Sequence, residues 1–134
     1  MKSKSSKSQN GFTLLELLVV IAIIGVLSSL AVGRYQDYII SSNRHAAQTR
    51  LLMAQQAMER YFLRANTYVG AALPALDPNE PYVLAFAAGF PTATTYQISA
   101  RQTGLPDLDC GTLSINETGQ RFSTGALPLG DCWR

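Results

Sequence analysis

The sequence feature that most restricts the fold is an apolar stretch that runs from Phe12 to Val32. Its interior, residues 17–27, contains no polar side chain. A helix over these 21 residues reaches about 30 Å, which is the thickness of the hydrocarbon core of a bilayer. Three interpretations are open at this point: a helix buried in a protein core, a secretory signal cleaved after the small-x-small sequence Ser29–Ala31, and a retained transmembrane helix.

The residues around this stretch favour a helix that stays in the membrane. Lys2, Lys4 and Lys7 precede it, and they predict a cytoplasmic N-terminus and an exported C-terminal part. Glu16 lies near its start, where an unpaired carboxylate costs about 3 kcal/mol or more. A conventional secretory signal does not require a carboxylate in its apolar region, so the presence of Glu16 indicates a function.

The residues at the start of the stretch form a recognisable motif. Residues 11–16 read GFTLLE and are followed by LLVVIAIIGVL. A basic leader, a glycine, a phenylalanine and a glutamate before an unbroken apolar helix resemble the N-terminus of type IV prepilins. The resemblance implies that a membrane-embedded aspartyl protease cleaves between Gly11 and Phe12 and then methylates the new amine of Phe12. It also implies that Glu16 pairs with the N-terminal amine of an adjacent subunit during filament assembly.

The same resemblance implies a location and a set of partners. Residues 1–11 are then a cleaved leader, and residues 12–33 are the transmembrane and filament-core helix. The chain is expected in the bacterial inner membrane with its N-terminus in the cytoplasm and its head in the periplasm, and afterwards in an extracellular pilus. The expected partners are other pilin subunits, the prepilin peptidase and N-methyltransferase, the inner-membrane assembly platform, and membrane lipid before assembly.

Helical periodicity continues beyond the apolar stretch without a proline, which predicts an amphipathic half over residues 34–64. Phe12–Arg64 is therefore predicted to form one helix about 80 Å long. Apolar residues at spacings of 3, 4 or 7 form the stripe that we expect the head to cover: Tyr35, Ile39, Ala46, Met53, Ala57 and Tyr61, with Leu52 and Met58 beside them. Arg44, Arg50, Arg60, Arg64 and Glu59 fill the other faces.

Two glycines interrupt this helix in the sequence. Gly33 stands where the resembled family usually carries a proline, and Gly25 lies eight residues earlier. Each glycine weakens a helix by about 1 kcal/mol relative to alanine. Two interpretations are open: a soft stretch from Gly25 to Gly33, or small residues that allow close contact between helices.

Residues 65–134 predict a small β-sheet head. Residues 65–81 contain three prolines and predict a long loop. Strands are predicted at Tyr82–Ala87, Thr94–Ala100, Cys110–Ile115 and Gln120–Phe122, with a turn at Asn116–Gly119. We therefore expect an α+β fold in which the long N-terminal helix packs on a small antiparallel sheet, as in pilins.

Cys110 and Cys132 are the only cysteines. If the chain is exported as the lysines predict, these two residues are expected to form a disulfide, and two buried thiols are the alternative. A head of about 70 residues often needs such a cross-link. The spacing resembles the C-terminal disulfide-bounded loop of type IV pilins. The sequences DCGTL at residue 109 and DCWR at residue 131 resemble one subgroup of minor pilins.

Charge argues against a nucleic-acid partner. The net charge is +2, but three of the 11 basic residues are the leader lysines, so the rest has eight arginines against nine acids. Arg101, Arg121 and Arg134 are candidates for a DNA-binding patch, but three arginines in a mature chain near neutrality are a weak signal, so nucleic acid is not expected as a partner. Asp107 and Asp109 are expected to be solvated residues at the entry to a strand.

No residue pattern in the sequence predicts an enzyme. His45 is the only histidine and has no accompanying nucleophile pattern, and the sequence has no phosphate-binding loop. We expect no metal and no cofactor. The expected function is a structural subunit of a type IV pilus, most similar to a type IVa minor pilin. The alternatives are the major pilin, a pseudopilin of a type II secretion system, a DNA-binding pilin, and a small secreted protein released after Ala31.

Overall fold

The computed structural model of the chain describes residues 12–134. The predicted leader, residues 1–11, lies outside the described residues. The chain divides into two compact units, with the boundary between Tyr35 and Gln36. One helix, α1 (Leu14–Ala65), contributes to both units. Its bounds differ by at most two residues from the predicted Phe12–Arg64.

The second unit contains a four-stranded antiparallel sheet that follows α1. The strands are β1 (Tyr82–Phe86), β2 (Gln97–Gln102), β3 (Leu113–Asn116) and β4 (Arg121–Ser123), and their order in the sheet is the order in the chain. A short helix, α2 (Leu129–Cys132), which the sequence analysis did not predict, begins after Pro128. The expected α+β fold, with a long helix packed on a small antiparallel sheet, is confirmed.

The core of this unit lies between α1 and one face of the sheet. The helix contributes Ala47, Leu51, Ala54 and Met58, and the sheet contributes Ile98, Ala100, Leu113 and Ile115. Tyr68, Tyr82, Tyr96 and Trp133 complete the core together with the two cysteines. As predicted, Tyr96, Ile98 and Ala100 are buried on one face, because strand residues two apart point the same way.

The prediction that the head covers the apolar stripe of α1 is wrong, because the buried face is rotated about the helix axis from that stripe. Of its members only Met58 is fully buried, whereas Met53 is 48% exposed and Tyr35 is 67% exposed. The head instead covers the face of α1 that carries Ala47, Leu51 and Ala54, which are all buried. Periodicity could not distinguish the two faces because apolar residues lie on both.

Two strands begin later than predicted because turns occupy their first residues. The hydroxyl of Thr92 accepts a hydrogen bond from the Thr95 N–H at 3.0 Å, which holds residues 92–95 in a turn before β2. Gly111 has a φ of +65°, and its N–H donates to the Asp107 carbonyl, which bends the chain before β3. The predicted turn at residues 116–119 is present, with the Asn116 side chain accepting from the Gln120 N–H at 2.8 Å.

Candidate functional site

The first turn of α1 places Glu16 at the start of the apolar helix. Thr13 precedes the helix, and its Oγ1 accepts a hydrogen bond from the Glu16 N–H at 3.2 Å, which is N-cap geometry. The Thr13 carbonyl accepts from the Leu17 N–H at 3.2 Å. Among residues 12–134 the Glu16 carboxylate has no ion-pair partner. Gly11, on the other side of the predicted cleavage site, lies outside the described residues.

Nothing among residues 12–134 covers the apolar segment, Phe12–Val32. Phe12 is 84% exposed, and the large hydrophobic residues from Leu14 to Val32 are each 45–80% exposed. The most hydrophobic 18-residue window of α1 has a mean hydropathy of 2.6, and none of it is buried. By length and composition this part of α1 is able to cross a membrane. Exposed apolar surface of this extent marks a site that lipid or protein covers.

Gly25 and Gly33 lie inside α1, which continues through both positions. A Cβ added at either glycine would meet no atom within 4 Å. Packing in the described part of the chain therefore gives no reason for a glycine at these positions. The predicted softness of the helix between them stays a prediction.

The Cys110–Cys132 disulfide joins the turn before β3 to the last residue of α2, as the fold prediction expected. Both cysteines are completely buried. The side chain of Gln48 donates to the Cys132 carbonyl at 2.5 Å, and the indole N–H of Trp133 donates to the Phe122 carbonyl at 3.1 Å. The C-terminal residues are thereby held against both α1 and β4.

A buried ion pair that the sequence analysis missed connects α1 to the same loop. The Arg44 guanidinium donates from Nε to Asp107 Oδ2 at 2.7 Å and from Nη2 to Asp107 Oδ1 at 2.8 Å. Asp107 also accepts from the Cys110 N–H at 3.0 Å. The prediction that Asp107 is a solvated residue is therefore wrong, because α1 brings a cation to it from 63 positions earlier in the chain.

The electrostatics of this pair follow from its contacts. Burial by itself raises the pKa of Asp107, but the hydrogen bonds from Arg44 and from the Cys110 N–H outweigh it and hold the pKa below its usual value. The hydrogen bond to Asp107 raises the pKa of Arg44. Both groups are consequently charged at neutral pH, and the pair is retained.

A second polar cluster inside the head was also missed. Glu59 on α1 accepts hydrogen bonds from the hydroxyls of Tyr68, at 3.1 Å, and Tyr96, at 3.0 Å. Burial, followed by the bond to Glu59, raises the pKa of Tyr68 to about 12. Helical periodicity predicts Glu59 on a face of α1 away from the head, and this prediction is wrong. A pair of tyrosines after a helical glutamate was too weak a signal to indicate this contact.

The three arginines considered for a DNA-binding patch do not form one surface on the sheet. Arg121 pairs with Ile115 across the β3–β4 ladder, and Ile115 pairs with Ile98, so Arg121 lies on the face toward α1. Arg101 is three residues from Ile98 on β2 and therefore lies on the opposite face. The guanidinium of Arg121 lies 5.1 Å from the centre of the Trp133 ring. The Arg134 guanidinium donates a hydrogen bond to the Asp131 carboxylate.

Comparison with known protein families identifies this architecture. A family model described as "Type IV minor pilin ComP, DNA uptake sequence receptor" matches residues 33–114, which is more than half of the chain. The chain belongs to the type IV pilin family. A model of the prokaryotic N-terminal methylation motif also matches this pilin over residues 6–32, the region of the predicted cleavage site.

Individual relatives agree with the assignment. A fimbrial protein of Pseudomonas aeruginosa is 38% identical over 68 residues, which cover 51% of this pilin and 44% of the relative. A probable minor fimbrial protein of Dichelobacter nodosus is 40% identical over 76 residues, which cover 54% of this pilin and 45% of the relative. The matched region thus spans less than half the length of these two curated relatives.

A solved structure agrees as well. A type IV pilin from Shewanella oneidensis has a TM-score of 0.55 and 28% identity, and the match covers 71% of this pilin and 98% of that chain. This pilin is therefore similar in both sequence and fold to a solved type IV pilin.

Proposed function

We propose that this pilin is a minor subunit of a type IV pilus. It is made as a prepilin, cleaved between Gly11 and Phe12, methylated at Phe12, and held in the inner membrane by residues 12–33 with its head in the periplasm. The observation that carries the proposal is the uncovered apolar helix at the N-terminal end of a packed head. The match to a minor-pilin family model and to a probable minor fimbrial protein supports the minor role.

Glu16 is proposed to direct assembly. No lysine or arginine occurs from Phe12 to Val32, so the cation available to Glu16 in a helical filament core is an N-terminal amine of a subunit. Thr13 caps the helix, which leaves Phe12 before its first residue. Proposed partners are other pilins, the prepilin peptidase and N-methyltransferase, the inner-membrane assembly platform, and lipid.

Mass spectrometry of sheared, purified filaments tests this function. We expect a mature N-terminus at methylated Phe12 and a stoichiometry well below that of the main subunit. A mature chain that begins at Val32 contradicts retention of the helix. A stoichiometry equal to that of the main subunit assigns the major role instead. Detection in a type II secretion pseudopilus, and not in pili, supports the pseudopilin alternative.

A second candidate function is DNA binding, which the description of the matched family model favours. The head does not have the excess positive charge typical of such proteins, since residues 36–134 carry seven arginines and eight acids. Arg44 and Arg50 are engaged with Asp107 and Glu80. Arg121 is exposed and its guanidinium lies beside the Trp133 ring, so it is a candidate for a phosphate or base contact.

DNA binding is testable with the full-length mature pilin in detergent. If this second function is correct, fluorescence anisotropy detects binding to double-stranded DNA that weakens as salt rises, and Arg121→Gln reduces the affinity. Arg64→Gln is the matched control, because Arg64 is exposed on α1. Contacts to phosphate are strong at about 50 mM salt. If the wild-type pilin does not bind DNA at this salt concentration, the DNA function is excluded.

A further inference from the structure

The loop between β2 and β3, residues 103–109, exposes leucines and buries a carboxylate. Leu108 is 81% exposed and Leu105 is 40% exposed. Asp107 lies between them in the sequence, yet its side chain is 2% exposed because it is paired with Arg44. Surface loops usually have the reverse arrangement, with charged side chains in water and large apolar ones covered. We call residues 103–109 the leucine loop.

Further apolar groups adjoin the leucine loop. Pro106, which is exposed, stands between the two leucines in the sequence. Leu127 is 40% exposed, and its N–H donates to the Asp109 carbonyl at 2.9 Å, so a third leucine lies beside the loop. Single exposed leucines are ordinary on a protein surface, but several on one short loop indicate a surface that binds an apolar partner.

The leucine loop is fixed to the rest of the head near both of its ends. The Thr103 N–H donates to the Pro81 carbonyl at 2.9 Å. Asp107 is bonded to Arg44 and also accepts from the Cys110 N–H at 3.0 Å. Turning the loop inside out would break this ion pair and leave the Asp107 charge buried without a partner. The leucines are therefore held toward the outside of the head.

The anchors of the leucine loop lie near the start of the part of α1 that belongs to the second unit. The Gln102 side-chain amide, at the end of β2, donates to the Ile40 carbonyl at 3.3 Å. Arg44, which holds Asp107, comes one helical turn after Ile40. Ile40 is eight residues beyond Val32, the end of the apolar segment, and eight helical residues rise about 12 Å. A membrane that the apolar segment crosses is therefore within reach of the loop.

Two tyrosines between the apolar segment and Ile40 are typical of the boundary between a membrane and water. Tyr35 is 67% exposed and Tyr38 is 69% exposed. Tyrosine is enriched where a bilayer meets water, because its ring is apolar and its hydroxyl is polar. These residues indicate that the lipid surface lies close to the anchors of the leucine loop.

The exposed charges near this end of the head cancel. Arg34 and Asp37 lie on α1, and Arg101 and Asp109 lie on either side of the loop leucines; all four are exposed. With Asp107 paired to Arg44, neither sign of charge predominates. The leucine loop is therefore suited to apolar insertion and not to attraction by charged lipid.

We propose that, before assembly, the leucine loop inserts Leu105 and Leu108 into the headgroup region of the membrane that the apolar segment crosses. The head then has a lipid attachment of its own, which is released when the subunit leaves the membrane. The inference rests on the proposed function, because it requires the mature chain to keep its apolar segment in a bilayer.

Fluorescence from labelled vesicles tests this contact. The full-length mature pilin carries an environment-sensitive nitrobenzoxadiazole group at Leu108→Cys or at Leu63→Cys and is reconstituted into phosphatidylcholine vesicles. Leu63 is the matched control, since it is 84% exposed on α1 but lies 23 residues beyond Ile40. Mass spectrometry verifies that the Cys110–Cys132 bond is intact in each labelled protein.

The expected result is a lipid contact at position 108 alone. An apolar group at the membrane surface lies about 5–10 Å into the boundary between headgroups and acyl chains, within reach of lipids brominated near the headgroup. We expect the probe at position 108 to emit at a shorter wavelength than the probe at position 63. Brominated lipid should quench about half or more of the emission at position 108 and little at position 63. Addition of phosphatidylglycerol should leave this difference unchanged.

A substitution in the loop provides a second measurement. Leu105→Ser removes apolar contact area and should reduce the quenching at position 108 about twofold. Leu52→Ser is the matched control, since Leu52 is 38% exposed on α1 and lies outside the loop, and it should leave the quenching unchanged. Circular dichroism equal to that of the wild type shows that each variant has folded.

A third probe, at Ile24→Cys inside the apolar segment, separates the two levels of proposal. If lipid brominated deep in the acyl chain does not quench it, retention of the helix in the membrane is overturned, and this inference is overturned with it. If position 24 is quenched and position 108 is not, only the inference is overturned. Quenching at position 108 that requires phosphatidylglycerol indicates charge attraction and overturns it. A wavelength shift that depends on the ratio of protein to lipid indicates contact with a second copy of the chain and also overturns it.

Discussion

The Arg44 guanidinium donates hydrogen bonds to both carboxylate oxygens of Asp107, at 2.7 and 2.8 Å. This ion pair joins α1 to the turn that begins the disulfide-bounded loop. The side chains are 13% and 2% exposed, respectively. Because Asp107 also accepts from the Cys110 N–H, this contact positions one end of the disulfide. Stability of the loop therefore depends on a helix residue outside it.

Arg44→Ala should destabilise the pilin by about 3–5 kcal/mol, because it leaves the Asp107 charge buried without a partner. Denaturant unfolding of the mature pilin in detergent, followed by the fluorescence of Trp133, the single tryptophan, measures this loss. Arg64→Ala is the control, with an expected change within about 0.5 kcal/mol for an exposed position. The double variant Arg44→Met/Asp107→Leu should be more stable than Arg44→Ala, and a less stable double variant contradicts this explanation.

Stability should fall at acid pH through Asp107. The folded-state pKa of Asp107 lies below its ordinary value of 3.8. A carboxyl group with a lowered pKa stabilises the folded state above its unfolded pKa, and this contribution is lost as pH falls through the folded pKa. Unfolding midpoints measured from pH 6 to pH 2 should therefore depend less on pH in Asp107→Asn than in the wild type. Asp37→Asn, at an exposed carboxylate, should keep the wild-type slope.

Cys110→Ser should loosen the C-terminal residues while leaving α1 intact. Loss of a native disulfide in a small exported domain costs about 2–5 kcal/mol. Acrylamide quenching of Trp133 should increase, whereas helical circular dichroism should stay close to that of the wild type. Reactive thiols in the folded wild-type protein would remove the basis of this prediction.

Gly125→Ala should disrupt the same loop by a steric route. A Cβ at this position would overlap the backbone carbonyl of Asp109 and the carbonyl carbon of Cys110. Backbone atoms cannot move aside as a flexible side chain does, so we expect a loss of at least about 1–3 kcal/mol. Gly104→Ala is the matched control, since a Cβ there would meet nothing within 4 Å. Equal unfolding midpoints of the two variants would exclude a close approach at Gly125.

Glu16→Ala should be processed and inserted into the membrane but should enter filaments poorly. The physical reason is the loss of the carboxylate that pairs with an N-terminal amine in an apolar surrounding. The abundance of the variant in sheared filaments is compared with the abundance of its mature chain in the membrane. This comparison separates a defect in assembly from a defect in processing. Wild-type abundance of the alanine variant in filaments would leave Glu16 with only a helix-terminal role.

Local sequence patterns were sufficient for several features. The length and apolarity of residues 12–32, the absence of proline up to Arg64, and the turn residues at 116–119 each determine structure within a few positions of themselves. The motif around Gly11, Phe12 and Glu16 indicated the family for the same reason, because its elements are adjacent in the chain. The disulfide could be predicted because only one pairing of two cysteines exists.

Tertiary structure alone decided which face of α1 the head covers and which charges are paired. Met53 and Leu51 are both apolar, yet only Leu51 is buried, because the choice depends on how the head docks on the helix. Asp107 became an ion-pair partner of Arg44 only when residues 63 positions apart met. The sequence by itself therefore determined the elements that depend on neighbouring residues. Contacts between distant parts of the chain determined the buried face of α1 and the buried ion pair, because these depend on docking geometry that no local pattern encodes.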